Sequence, residues 1–260
     1  MENNDTLEVI QRIPLDKLRP YPDHPFGVRD DDMMQQTVES IKQFGVLVPG
    51  IARPLPDGSF ELIAGHRRKQ ASAIAGLTDM PIIVRDIDRN AATIIMVDSN
   101  LQRENILPSE RAQAYKMKLD AIKHQGTRTD LSSPKFSAKS RSDDEIGMDA
   151  GVSGDTIRNY ISLTQLVPEL QQMVDDKKIA LTPAYQLASL TPEEQKLLLI
   201  TIDSEQATPS LSQAQRMKKL SQDGKLNEDT MLEIMIEPKK AEKESVTLSG
   251  SKLRKYFPRS

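Results

Sequence analysis

Gly65-His66-Arg67-Arg68 sets a glycine, an imidazole and two guanidiniums in four consecutive residues, directly after the apolar run Leu62-Ile63-Ala64. A strand, a glycine and a basic first helical turn make a polyphosphate site in physical terms. The glycine lets the backbone approach an anion, and the free N–H groups of the helix start point at it. The forked donors of Arg67 and Arg68 match phosphate oxygens. A basic first turn opposes the helix dipole, a conflict that a bound anion would resolve. The same residues also read as a plain solvated basic turn.

A second polar segment runs Asp98-Ser99-Asn100-Leu101-Gln102-Arg103-Glu104-Asn105 and leads to Leu107-Pro108-Ser109-Glu110. Asn100, Gln102 and Arg103 could converge on a ligand or on a metal-bound phosphate. An ordinary helix–helix connection with capping residues is the competing reading.

The third segment, Asp143 to Ile161, carries a short helix, a turn around Gly151, a Ser153 cap and a second helix. This is the helix-turn-helix pattern. Ile146, Val152, Ile157 and Ile161 are placed to form its small core. Ser153, Gly154, Asp155, Thr156, Arg158 and Asn159 would then face a major groove. Residues 143–163 hold five acids and one arginine, so phosphate contacts must come from basic neighbours. The Ser-rich segment 125–142, with Arg128, Lys135, Lys139 and Arg141 against Asp130, could supply them.

The elements that must position these residues follow from periodicity and punctuation. Asp30 can cap a helix with Met34, Val38 and Ile41 on its apolar face, ended by Gly45. Val46–Leu55 and Ser59–Ile63 read as strands around Pro56-Asp57-Gly58. A helix over Arg67–Ala75 stops at Gly76, Pro81–Val84 is a strand, Ala91–Asn100 is helical, and Pro108 opens a longer helix. From Asp143 to about Ser221 the chain reads as all-helical. The expected organisation is a flexible segment over 1–12, a nucleotide-binding domain over 13–107 and a connecting helix over 108–124. A basic linker over 125–142, a helical DNA-binding domain over 143–222 and a tail over 223–260 follow. If the tail dimerises, strand pairing through 231–236 and 246–248 is as plausible as helix pairing.

Composition removes whole classes. Among 260 residues there is no Cys and there are three His, so disulfides, thiol nucleophiles and thiolate zinc sites are excluded. No apolar run approaches the roughly 18 residues of a membrane span. The start, Met1-Glu2-Asn3-Asn4-Asp5, lacks the basic and apolar regions of a signal peptide. The expectation is a cytoplasmic, nucleoid-associated protein without a membrane partner. The net charge of −3 argues weakly against nucleic acid, but the positive charge gathers at Arg67–Lys69 and from Lys123 to Arg141.

Taken in order, these motifs resemble the ParB partition-protein family from about Ile13 to about Ile202. Leu18-Arg19-Pro20 through Val28-Arg29 is similar to its first nucleotide motif, and Gly65 to Ala71 to its Arg-Arg box. Asn100-Leu101-Gln102-Arg103 with Leu107-Pro108-Ser109-Glu110 is similar to its Asn-x-Gln-Arg motif, and the helix-turn-helix to its DNA-binding domain. The resemblance implies an α+β N-terminal domain of the ParB/sulfiredoxin-like fold, an all-α helix-turn-helix domain and a short C-terminal tail. It implies CTP and Mg²⁺ as cofactors. Arg29 would hold phosphate, Gly65, His66, Arg67 and Arg68 would cradle the triphosphate, and Gln102 would lie beside them. Asn100 and Arg103 would close the metal–phosphate end, with Asn100 as the metal ligand. It further implies a homodimer that closes on double-stranded DNA at a short palindromic site, and a ParA-type ATPase partner. Chromosome, plasmid and mobile-element segregation all remain open.

Two departures bear on CTPase activity. His66 stands where the family box has an acid, and Ser99 stands where a Glu precedes the family's Asn. Binding is therefore expected ahead of hydrolysis. The alternative is a helix-turn-helix transcriptional regulator without a working nucleotide switch. A sulfiredoxin-type enzyme is excluded by the absence of Cys.

Overall fold

The computed structural model describes residues 9–22, 24–27, 31–103, 106–126 and 142–237. Two folded regions share one long helix. The first is a five-stranded mixed sheet with helices packed on it. Its strands are β1 (Ile10–Pro14), β2 (Leu18–Pro20), β3 (Gly50–Pro54), β4 (Phe60–Ala64) and β5 (Asp79–Val84). Their order in the sheet is β1-β5-β3-β4-β2. β1–β5 and β3–β4 are antiparallel, while β3–β5 and β2–β4 are parallel.

Side-chain alternation along β4 explains the layering. Leu62 joins Ile13, Leu18, Ala52, Met80 and Ile82 in one cluster. Its neighbour Ile63 joins Tyr21, Phe26, Ala92, Met96 and Val97 in another, as the period of two along a strand requires. The helices of this region are α1 (Asp32–Phe44), α2 (His66–Ile74) and α3 (Arg89–Leu101). Asp31 caps α1, its carboxylate accepting from Met34 N at 2.9 Å. The expected Asp30 cap lies outside the described residues. The expected strand over 46–55 shrinks to β3, because Pro49 has no N–H for a ladder. The Val48 and Pro49 carbonyls instead accept from Arg68 Nη1 at 2.6 and 2.7 Å.

Helix α4 (Pro108–Gly126) joins the two regions. At its start, Ser109 N and Oγ both donate to Asp175, at 3.0 and 2.5 Å. That carboxylate supplies the N-terminal cap from α7 (Pro168–Asp175). The remaining helices are α5 (Ser142–Ala150), α6 (Gly154–Ser162), α8 (Leu181–Leu187), α9 (Pro192–Glu205), α10 (Leu211–Gln222) and α11 (Glu228–Ile236). The α7–α11 core holds Leu170, Leu187, Leu198 and Met217, all 1% exposed or less. Thr191 with Glu194 and Ser210 with Gln213 form capping boxes at α9 and α10.

The chain past 223 does not begin as a tail. Met231, Ile234 and Met235 of α11 are buried in that same core, and Gln213 Nε2 donates to the Ile234 carbonyl at 2.7 Å. The apolar patch 231–236 is therefore a helix that packs on its own chain through Met231, Ile234 and Met235 and leaves Ile236 exposed, and it is not a strand. Residues 246–248 lie outside the described residues. Among the described residues no helix is long and apolar enough to cross a membrane.

Candidate functional site

Gly65 is the N-cap of α2 and sits at φ +109°, a left-handed backbone that side chains resist. A Cβ there would also stand 3.2 Å from Gly50 Cα. Both facts explain the glycine. It lets β4 turn directly into α2, so that the basic first turn lands beside the C-terminal end of α3.

The result is one cavity of about 200 Å³. It is lined by Gly65, His66, Arg67 and Arg68 from the α2 start, by Ser99, Asn100 and Arg103 from the α3 end, and by His24 and Phe26. His24 and Phe26 come from the Pro-rich loop after β2. Glu110 of α4 holds that loop, accepting from Gly27 N and from Leu107 N, each at 3.1 Å. Tyr21 anchors its other end through a buried 2.6 Å hydrogen bond to Thr93 of α3. Arg29 lies outside the described residues.

The cationic side chains already have partners. Arg67 Nη2 donates to Asp31 Oδ1 at 2.8 Å, and this guanidinium holds the Asp31 carboxyl below its ordinary pKa. Arg68 donates to the two loop carbonyls. Arg103 Nη1 donates to Asn100 Oδ1 at 3.3 Å. An entering anion would have to win these donors from weaker or exposed acceptors. Burial lowers the His66 pKa to about 3, helped by the neighbouring His24 ring and by Lys69. Burial lowers the His24 pKa as well, with Arg103 adding to it. Both shifts favour the neutral form of the ring.

Gln102 is not part of this cavity. One helical step past Leu101, it lines a second cavity with Asp98, Arg111, Tyr115, Lys118 and Asp149. That cavity lies between α3 and the helix-turn-helix, and it holds a feature the sequence reading missed. Lys118 of α4 is 3% exposed and donates to Asp98 of α3 at 2.7 Å and to Asp149 of α5 at 3.2 Å. Burial opposes its charge, but the two carboxylates outweigh burial and its pKa rises. The spacing of three acceptable helical positions carries no signal for such a contact.

The fit to Mg²⁺ is poor. Magnesium takes oxygen ligands in near-octahedral geometry. Among the described residues no carboxylate lines the α2–α3 cavity, and the Asn100 oxygen is engaged by Arg103. Among the described residues lining this cavity, the Ser99 hydroxyl is the one other side-chain oxygen beside Asn100, the expected metal ligand.

In the helix-turn-helix, α5 and α6 pack through Ile146 and Ile157, both fully buried, together with Tyr115 of α4. Val152, expected in that core, is 39% exposed, because the turn lifts it away. Gly154 is buried against Asp144 and is not available to a groove. Its role is close packing of the two helices. Gly147 serves the same approach, since a Cβ there would meet the Val152 carbonyl at 2.7 Å. Ser153, Asp155, Arg158 and Asn159 are exposed and Thr156 is half-buried. Ser153 is spent on capping, its Oγ accepting from Thr156 N at 3.2 Å. Arg158 is paired with Asp143 and Asp155, with Asp144 at 3.8 Å, and these acids hold it firmly charged. Lys135, Lys139 and Arg141 lie outside the described residues.

The ParB N-terminal domain model matches residues 1–101, and the ParB HTH domain model matches residues 136–222. The chain belongs to the ParB family. This ParB-family chain is 32% identical over 186 residues to the chromosome-partitioning protein Spo0J of Thermus thermophilus, covering 71% of this chain and 62% of that one. It is 28% identical over 194 residues to a nucleoid occlusion protein of Listeria monocytogenes, covering 75% of this chain and 62% of that one. A pNOB8-like ParB N-domain shares the fold at a TM-score of 0.51 and 17% identity, covering 87% of this chain and 97% of that chain. The chain spans between 44% and 62% of the length of the first curated relatives it matches.

Proposed function

We propose that this chain is a sequence-specific DNA-binding partition protein whose hold on double-stranded DNA is set by CTP in the α2–α3 cavity. The observation that carries the reading is the convergence of Gly65, Arg67, Arg68 and Arg103 on one cavity in a chain that also holds a helix-turn-helix. At about 200 Å³ the cavity is smaller than the roughly 300–1,000 Å³ that encloses a whole organic ligand. It suits the phosphate end of a nucleotide, with the base outside.

The roles follow from that placement. Backbone N–H groups at the α2 start face the phosphates, where the helix dipole favours negative charge. Arg67, Arg68 and Arg103 exchange their present acceptors for phosphate oxygens. Releasing Arg68 frees the Val48 and Pro49 carbonyls, and releasing Arg67 frees Asp31 at the α1 start. Phosphate binding is thereby tied to the loop before β3 and to α1. A homodimer reading a short palindromic site fits the two-fold logic of helix-turn-helix readers, and a ParA-type ATPase is the expected partner. No described carboxylate lines the cavity to orient a water, so the nucleotide is held rather than rapidly hydrolysed.

A simple DNA-binding regulator remains the second reading, favoured by the partners that Arg67 and Arg68 already have. Sequencing DNA that co-precipitates with the protein separates the two. The proposal expects a sharp palindromic peak that spreads when CTP is present. A peak indifferent to CTP would overturn it in favour of the regulator.

A further inference from the structure

The outer face of α6 carries a single cation set among acids. Asp155, Arg158 and Asn159 fall at positions i, i+3 and i+4, so they share that face, and all three are exposed. Arg158 is the one Lys or Arg between 143 and 163, against five acids. The inner face of the helix is fixed. Ile157 is buried with Ile146 and Tyr115. Tyr160 meets Tyr115 and Tyr185 edge-on at 5.8 and 6.0 Å, and the Arg111 guanidinium lies 5.6 Å from its ring centre. The outer face is therefore presented by a helix that is held in place.

The Arg158 guanidinium is held as well. Nη1 donates to Asp143 at the start of α5, and Nη2 donates to Asp155 one turn back on α6. Asp144 Oδ1 stands 3.8 Å from Nη1. The two carboxylates that accept these bonds are not equivalent. The Asp143 side chain is 13% exposed and that of Asp155 is 83% exposed. Drawing Arg158 away would leave Asp143 with a charge that water reaches poorly, whereas Asp155 loses little by turning. Arg158 is thus anchored on Asp143, with Asp155 free to move beside it. Two of its five N–H donors go to these carboxylates.

A DNA phosphate is a poor partner for this group. It would attract Arg158 and repel Asp144 and Asp155 in the same approach. The major-groove edge of a G·C pair offers a different match. Guanine presents the O6 and N7 acceptors and the paired cytosine presents its N4 donor. An arginine fork answers the first and a carboxylate answers the second. A cation and an anion on one helix face therefore meet acceptors and a donor on one base-pair edge.

We propose that Arg158, positioned by Asp143, reads a guanine in the major groove, and that Asp155 accepts from the cytosine paired with it. The inference rests on the double-stranded DNA reading above and adds the base that α6 selects. Asp143 acts through Arg158. It keeps the fork off phosphates, so the arginine serves the choice of sequence and not the general hold on DNA.

The test starts with selection of sites by the full chain, without nucleotide, from randomised double-stranded DNA, followed by sequencing. Affinity for the selected duplex is then compared with that for duplexes in which each G·C pair is replaced in turn by A·T. A scrambled duplex is titrated across a salt series. The parent is expected to lose about tenfold or more at one G·C pair of each half-site. In Arg158→Gln that ratio is expected to fall toward one, and sites selected by the variant are expected to be random at that position. Asp143→Asn is expected to steepen the salt dependence on the scrambled duplex by about 0.9 in log–log slope, as the freed arginine gains a phosphate. The same substitution in the Arg158→Gln background is expected to leave the slope unchanged, which separates release of the arginine from simple loss of an acid. Each ratio is read within one variant, so a general loss of affinity does not imitate the result. An Arg158→Gln variant that selects the parent's site with the parent's discrimination, or that loses affinity equally for all duplexes, would overturn this inference and leave the DNA reading standing. No enriched site for the parent would overturn both.

Discussion

Lys118→Met removes a cation from the junction between the nucleotide-side helix α3 and the helix-turn-helix while keeping most of the buried stem. Lys118 is 3% exposed, whereas Asp98 and Asp149 are 47% and 70% exposed. A hydrogen bond to a charged group is worth about 1.5–3 kcal/mol when its partner is left buried. Here both carboxylates regain water, which discounts each contact toward the surface range of about 0–1 kcal/mol. The expected loss is about 1–2 kcal/mol in total, part of it from two like charges left facing each other. Lys118→Ala also loses about three buried methylenes, at about 0.8 kcal/mol each, and should cost about 3–4 kcal/mol. Urea unfolding at pH 7 reads both values. Asp149→Asn combined with Lys118→Met should cost less than the two singles added, by about 0.5–1 kcal/mol. A Lys118→Met variant within 0.5 kcal/mol of the parent, or additive with Asp149→Asn, would refute the view that this lysine holds α5 to α3.

Two further outcomes follow from the same structure. The folded His66 pKa of about 3 lies below the ordinary 6.5, so the unfolded chain takes the proton first and stability falls as pH drops below 6.5. In chelator-containing buffer this group alone should remove about 2 kcal/mol between pH 7.5 and pH 5.0, and His66→Gln should lose that much less. Equal pH slopes in urea melts would contradict it. Ile157→Ala, at a fully buried position between α5, α6 and α4, should destabilise the helix-turn-helix by about 2–5 kcal/mol in denaturant titrations. A cost below 1 kcal/mol would mean that this small core is not close-packed.

The cavity was legible where chemistry is local. Gly65, His66, Arg67 and Arg68 are consecutive, and one turn presents them together. Asn100 lies in the last turn of α3 and Arg103 just past its end, and the turn closed by Arg103 N donating to the Asn100 carbonyl brings them together. Gln102 lies one step past Leu101 on α3's end and turns toward the helix-turn-helix instead. His24 was not legible, because its approach to His66 depends on a proline-rich loop folding back over more than forty residues, held by Glu110 and Tyr21. Lys118 reads in sequence as one more solvated lysine, and only the packing of three helices buries it. The helix-turn-helix was recognised from its cap and turn, but Gly154 and Val152 exchanged their expected places. A glycine in a cap reads as exposed, and here it makes room for Asp144. The patch 231–236 was ambiguous for a physical reason. A short apolar run fits a strand or a buried helix equally well, and Asn227 capping Thr230 decides for the helix.

The central claim is that the α2–α3 cavity binds CTP. Isothermal titration of the full chain with CTP and Mg²⁺, repeated on Arg67→Ala and Arg103→Ala, tests it most directly. The account predicts saturable binding by the parent and a loss of about tenfold or more in each variant, the equivalent of one charge-assisted hydrogen bond. Absence of binding by the parent, or variants that bind as well as it does, would contradict it.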